Sequence, residues 1–218
     1  MSVQNVQTAT LTLTGGVQIP QLGLGVWQTP RGVTSDAVQA ALRLGYRHID
    51  TARIYGNEED VGRGVRESKV PRDADGKARA IGVSNILVPH LRELLTHAKV
   101  APMVNQLEMT PFLQRRDTVE LCRQHAIALE AYSPLTRGER LTDARVVAIA
   151  RRVGRTPAQV LLRWGVQQGF VVLPKSTRAA RIEENAQLFD FTLDAAALRE
   201  LDALEENLVT GWDPAGQR

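Results

Sequence analysis

Tyr46-Arg47-His48-Ile49-Asp50-Thr51-Ala52-Arg53-Ile54-Tyr55-Gly56-Asn57-Glu58 is the stretch whose reading decides the fold. Taken with the two-residue alternation of a strand, Arg47 to Thr51 puts His48 and Asp50 on one face and Ile49 on the other. Asn57 precedes Glu58, Glu59 and Asp60, so it reads as the cap of a helix whose first turn carries negative charge, where the helix dipole favours it. Tyr55 then falls in a strand-to-helix loop, the place where a (β/α) barrel keeps its chemistry. The competing reading is a buried strand carboxylate beside a loop tyrosine that merely packs.

The same alternation of elements continues on both sides. Leu11 to Ile19 alternates around Gly15-Gly16 and predicts a β-hairpin with a tight turn. Leu22 to Val26 is a short strand, followed by a helix over Ser35 to Leu44. After Arg47–Thr51 comes a helix over Glu58 to Glu67. Strands are predicted at Arg79–Val83, Met103–Leu107, Ala128–Tyr132 and Phe170–Pro174. The helices between and after them are Pro89–His97, Arg116–His125, Asp143–Val153, one opened by the capping box Thr156–Gln159, and two starting near Ala179 and Asp194. Repeated strand–helix pairs imply a parallel sheet with right-handed crossovers. With no linker or low-complexity run, residues 1–218 read as a single domain. A closed (β/α)₈ barrel needs eight such strands over ~250 residues. Six can be found.

Composition excludes other classes. The chain has 218 residues, 43% of them hydrophobic and 23% charged, which is ordinary for a globular domain with a core. A formal net charge of +3, with the basic residues dispersed, argues against nucleic acid. No apolar run is long enough to span a membrane, and the first residues do not form a signal peptide. The single Cys122 excludes an internal disulfide and points to a reducing, cytoplasmic compartment; it sits in a helical pattern and reads as a packed thiol. No metal-ligand spacing stands out. The lysines are only Lys69, Lys77, Lys99 and Lys175.

LGLGVW at Leu22–Trp27, YRHIDTARIYGNE at Tyr46–Glu58, GKARAIGVSN at Gly76–Asn85, VNQLE at Val104–Glu108, AYSPL at Ala131–Leu135 and VVLPKSTRAARIEEN at Val171–Asn185 together resemble the aldo-keto reductase family. The branch they look most like is the bacterial, 2,5-diketo-gluconate-reductase-like one, which reduces small keto acids, keto sugars and aldehydes. The resemblance implies a TIM-barrel-derived α/β fold with an N-terminal hairpin, here with six rather than eight β/α units. It also implies NADP(H) as cofactor, a small-molecule carbonyl substrate, and an Asp–Tyr–Lys–His tetrad. Asp50 and Tyr55 match the first two members. The Lys and His end the third and fourth family strands, and both strands are missing, as if two β/α units had been removed near 73/74. Lys69, Lys77 and Lys99 fall at the bottom face. His48 points inward one layer below Asp50, and His97 and His125 read as helix-surface residues. Only His90, at the top of a helix, stays open as a replacement.

By the same resemblance, Ser84, Asn85 and Gln106 hold the nicotinamide carboxamide, Tyr132 stacks on its ring, and Ser133 and Leu135 lie beside the pyrophosphate. Lys175 and Ser176 open the segment that takes the adenosine half. Arg178 and Arg181 there hold a 2′-phosphate, and Glu184 and Asn185 contact adenine; helical spacing puts Arg178, Arg181 and Asn185 on one face. Trp27 forms a wall of the substrate pocket. Trp212 sits in the C-terminal tail, which in this family often folds over that pocket. Three readings follow: a weakened reductase, a non-catalytic NADP(H)-binding relic or regulator, or a natural protein that carries the two units. The remnant could close into a narrower ring or stay open and expose two edges, as a monomer or an edge-paired homodimer.

Overall fold

The computed structural model describes residues 9–70 and 80–216. The inferred deletion point at 73/74, Lys77 and Arg79 lie outside the described residues. Strands β1 (Thr10–Thr12) and β2 (Gln18–Pro20) pair antiparallel, Leu11 opposite Ile19, around Gly15 and Gly16 at φ of 84° and 82°. Both central turn positions therefore need glycine's freedom at positive φ. Thr14 Oγ1 donates to Ala126 O in the loop before β7 (Ala128–Tyr132), which fixes the hairpin at the N-terminal end of the strands.

The parallel strands are β3 (Leu24–Gly25), β4 (Ile49–Asp50), β5 (Gly82–Ser84), β6 (Val104–Glu108), β7 and β8 (Val171–Leu173). Strands β5-β6-β7-β8 form one ladder, with Ser84 opposite Gln106 and Glu108 opposite Tyr132. Strand β3 pairs with β4. It also joins β8 through bridges at Leu22–Val172 and Gly25–Lys175. The order is thus β4-β3-β8-β7-β6-β5. Among the described residues β4 and β5 share no ladder, so the six strands make an open arc rather than a closed narrow ring.

Helices α1 (Val33–Arg43), α2 (Glu58–Glu67), α3 (Val88–His97), α4 (Arg116–Gln124), α5 (Ala144–Val153), α6 (Pro157–Gln167), α7 (Ala179–Ala186) and α8 (Ala195–Asp202) follow the strands. The capping box holds: Thr156 Oγ1 accepts from Gln159 N, and Gln159 Oε1 accepts from Thr156 N. The core lies between arc and helices, with Leu22, Leu24, Leu107, Leu161, Leu162 and Val172 fully buried. Cys122 is packed there as expected. Tyr46 is also buried, and its hydroxyl donates to Ile182 O at 3.0 Å, tying the start of the β4 segment to α7.

Two local expectations are corrected. Pro89 occupies the second helical position, because α3 begins at Val88. Asn57 precedes α2 but its side chain does not cap it. Instead Asn57 Nδ2 donates to Val26 O at 2.9 Å, and its Oδ1 accepts from Thr51 Oγ1 at 3.1 Å. A buried amide there staples the β3 and β4 ends together below the loop that carries Tyr55.

Candidate active site

At the C-terminal ends of the strands lies a cleft of about 790 Å³. Asp50 reaches it from β4, and Tyr55 from a single 3₁₀ turn, Arg53–Tyr55, that follows. Trp27 meets Tyr55 with ring centroids 4.7 Å apart, tilted by 56°, so the two aromatics form one wall. Burial, then the nearby Asp50, raises the Tyr55 phenol above its ordinary range. Burial likewise raises Asp50, opposed by a hydrogen bond from Gln106 and by His48. Among the described residues no lysine bonds to either group. His90, on α3, does not line the cleft and so does not replace the family histidine.

Below this surface sits a polar cluster that sequence reasoning found only in part. Gln106 Nε2 donates to Glu130 Oε2 at 2.7 Å and to Asp50 Oδ1 at 3.3 Å. His48 Nε2 lies 3.4 Å from Glu130 Oε1, and His48 Nδ1 lies 3.5 Å from Pro20 O. The reading of His48 as inward and one layer deep describes this position. Glu130 was missed, although alternation on β7 puts it on the same face as Tyr132. Burial raises the Glu130 carboxyl, and Asp50 adds to that, while His48 and Gln106 oppose it.

Ser84 and Asn85 close β5. Ser84 Oγ donates to Gln106 O, Asn85 N donates to the same carbonyl, and Asn85 Nδ2 donates to Ser84 Oγ. Asn85 stands at φ 60°, a left-handed position that asparagine tolerates better than most residues. Tyr132 OH donates to Asn85 Oδ1 at 3.0 Å. Burial and Glu108 hold that phenol near a pKa of about 12. Ser133, Leu135, Lys175, Ser176, Arg178 and Arg181 all line the cleft.

Glu184 and Asn185 do not. Glu184 Oε1 accepts from Thr156 Oγ1 at 2.6 Å, which ties α7 to the start of α6, and Asn185 is buried. The expected shared face is therefore corrected: Arg178 and Arg181 are exposed at the rim, and Asn185 turns into the core. Arg137 lines the cleft and was not anticipated; it lies in a 3₁₀ turn at φ 51°, which no sequence periodicity marks. Trp212 also lines it. The tail is held by Glu108, whose carboxylate accepts from Thr210 N at 2.9 Å and Gly211 N at 3.0 Å.

Comparison with known proteins gives a consistent picture. The sequence profile of the "Aldo/keto reductase family" matches residues 19–74 and 73–206. A "9,11-endoperoxide prostaglandin H2 reductase" of Trypanosoma cruzi is 38% identical over 266 aligned positions, covering 94% of this chain and 94% of the relative. A "Glyoxal reductase" of Bacillus subtilis is 36% identical over 264 positions, covering 94% and 96%. Among solved structures, MGS-M4, an aldo-keto reductase enzyme from a Medee basin deep-sea metagenome library, superposes with a TM-score of 0.89 at 30% identity, covering 96% of this chain and 99% of its own.

Proposed function

This chain belongs to the aldo/keto reductase family, and from that premise we propose that it is an NADPH-dependent reductase of small aldehydes or ketones with weakened turnover. The observation that carries this reading is convergence: Asp50 and Tyr55 share one cleft with Ser84, Asn85, Gln106, Tyr132 and the cationic rim of Lys175, Arg178 and Arg181. The residues present fit the cofactor. With its two hydrogens directed inward, Gln106 offers Oε1 to the cleft as an acceptor. With Oδ1 taken by Tyr132, Asn85 offers Nδ2 as a donor. One acceptor beside one donor complements a primary carboxamide, which has both. The rim arginines suit a 2′-phosphate by charge-assisted bonds, hence NADPH over NADH. Glu184 and Asn185 remain proposed only as neighbours of the adenine end, behind that rim.

NADPH, when bound, supplies hydride to the carbonyl carbon. The chain's own part is to hold a proton on Tyr55 Oη for the carbonyl oxygen, and to exclude water with Trp27 and Trp212. A phenol raised above its ordinary value is a poor acid at neutral pH. The family Lys and His would ease that step by ~10²–10⁴-fold, and this sequence supplies neither at the matching positions.

The two missing β/α units are read as an internal deletion near 73/74. Support comes from a family match in two blocks meeting there, and from relatives aligning over 266 positions to a 218-residue chain. The substrate class follows the relatives' names and the bacterial branch: small aldehydes, dicarbonyls such as glyoxal, and keto acids. A second reading, an NADP(H)-binding protein without turnover, is favoured by one observation, that Asp50 is compensated by an amide instead of an ammonium. The chain is one domain in a reducing cytoplasm, monomeric or paired through the open β4 and β5 edges; sedimentation separates the two states. Quenching of protein fluorescence by NADPH tests the cofactor. Oxidation of NADPH that depends on glyoxal or a keto acid tests turnover, and binding without oxidation selects the second reading.

A further inference from the structure

The geometry points to Glu130 as a positioning residue that fixes the Gln106 side-chain amide, and so sets the donor–acceptor polarity of the carboxamide subsite; this rests on the reading just given. The argument begins with the amide itself. Gln106 carries an oxygen and an NH₂ group of nearly equal size, and only its surroundings decide which faces the cleft. Inward, it meets Glu130 Oε2 at 2.7 Å and Asp50 Oδ1 at 3.3 Å. Both are carboxyl oxygens. An inverted amide would put its own oxygen 2.7 Å from that of Glu130 and lose both inward N–H donors, leaving buried acceptors facing each other, an unfavourable arrangement.

Glu130 is itself held. It lies in the middle of β7, buried, with one oxygen on Gln106. The other oxygen, Oε1, is buried without a hydrogen-bond partner among the described residues, with His48 Nε2 3.4 Å away. A buried acceptor left in that state calls for a purpose. Here His48, just before β4, Gln106 of β6 and Glu130 of β7 form one interior cluster, and the one group that meets both of the others is Glu130. Asp50 also receives a hydrogen from Gln106, but at the longer distance, so Glu130 dominates the orientation. None of this touches the reacting carbonyl. Glu130 acts through Gln106.

The test compares binding of NADP⁺ with binding of its 3-acetylpyridine analogue, which keeps the ring carbonyl but has no N–H to donate. It is done on the full chain and on Glu130→Gln. A fixed acceptor at Gln106 Oε1 makes the wild type prefer NADP⁺ by about tenfold, the equivalent of ~1.4 kcal/mol. In Glu130→Gln the amide of Gln106 can invert, and the preference falls toward parity. The fragment 2′-phospho-ADP-ribose, which lacks the ring, binds both forms alike. Glu130→Gln placed in a Gln106→Met background adds no further change in the ratio, since the effect passes through Gln106. An unchanged ratio in Glu130→Gln with fragment binding intact overturns the assignment. So does an additive double variant, or loss of fragment binding in Glu130→Gln alone, which would make Glu130 structural. Failure of the wild type to bind the fragment instead removes the NADPH reading, and the inference with it.

Discussion

Gln106 Nε2 donates to Asp50 Oδ1 at 3.3 Å, joining β6 to β4 across the interior although the two strands share no ladder. The Asp50 carboxyl is thus met by a neutral amide. An amide hydrogen bond to a charged group contributes roughly 1.5–3 kcal/mol, and it brings no charge to offset desolvation. Asp50 and Glu130, both desolvated by burial and both bonded by Gln106, consequently both hold protons more tightly than free carboxyls.

That excess affinity has a sign in stability. A carboxyl raised in the native state binds more protons folded than unfolded, so its contribution falls as pH climbs from about 4 through the raised value. The groups facing this pair are His48, Gln106 and Tyr55. Asp50→Asn and Glu130→Gln remove the titration. Thermal melts between pH 4 and 8 are expected to show each variant gaining on the wild type as pH rises. A variant-minus-wild-type Tm that stays flat, or falls with pH, contradicts the raised carboxyls.

Tyr55→Phe keeps the ring against Trp27 and deletes only the hydroxyl. Any carbonyl-dependent oxidation of NADPH is expected to drop by ~10²–10⁴-fold in kcat, with the NADPH dissociation constant unchanged. Full activity in the variant would show that the proton comes from elsewhere.

Much of this architecture is legible in the sequence. Helix α2 over Glu58–Glu67 and strand β7 over Ala128–Tyr132 have the bounds that periodicity gives them. Strand Arg47–Thr51 was overdrawn, since only Ile49–Asp50 pairs. Alternation reports which face is buried, whereas ladder length depends on neighbours, and among the described residues β4 pairs only with β3. The Asn57 cap failed because a staple to Val26 O competes for the same amide. Glu184 and Asn185 were placed by resemblance, which does not register the local bond from Thr156. The sequence places Gln106 at a strand end, where it lines the cleft; its inward partners are not legible there, since Asp50 and Glu130 are 56 and 24 residues away.

The rim arginines offer a sharper test of cofactor choice. Arg178 and Arg181 are exposed at the mouth of the cleft, flanking the start of α7. Charge-assisted bonds to a phosphate contribute about 1.5–3 kcal/mol each, reduced here by solvent screening. Arg181→Ala is expected to weaken NADPH by roughly tenfold and NADH by much less, with the gap shrinking at high salt. Titration of both nucleotides by fluorescence at two ionic strengths checks this. Equal losses for the two would remove the 2′-phosphate role.

Gly64 decides how α2 seats against α1. Added to Gly64, a Cβ would come 2.7 Å from Ser35 O and 2.9 Å from Val38 Cβ. Two effects oppose each other in Gly64→Ala. Helix propensity favours alanine by about 1 kcal/mol. The clash is with a backbone carbonyl and with a Cβ fixed to α1's backbone, neither of which can move alone, and overpacking of this kind costs typically ~1–3 kcal/mol. With both helices also packed through buried Val38, Ala41 and Val61, relief requires shifting α2 as a body, and with it the loop carrying Tyr55. The clash is therefore expected to win. Denaturant melts should show Gly64→Ala less stable by about 1 kcal/mol or more, where a stabilised variant would mean that the α1–α2 contact is looser than these distances require.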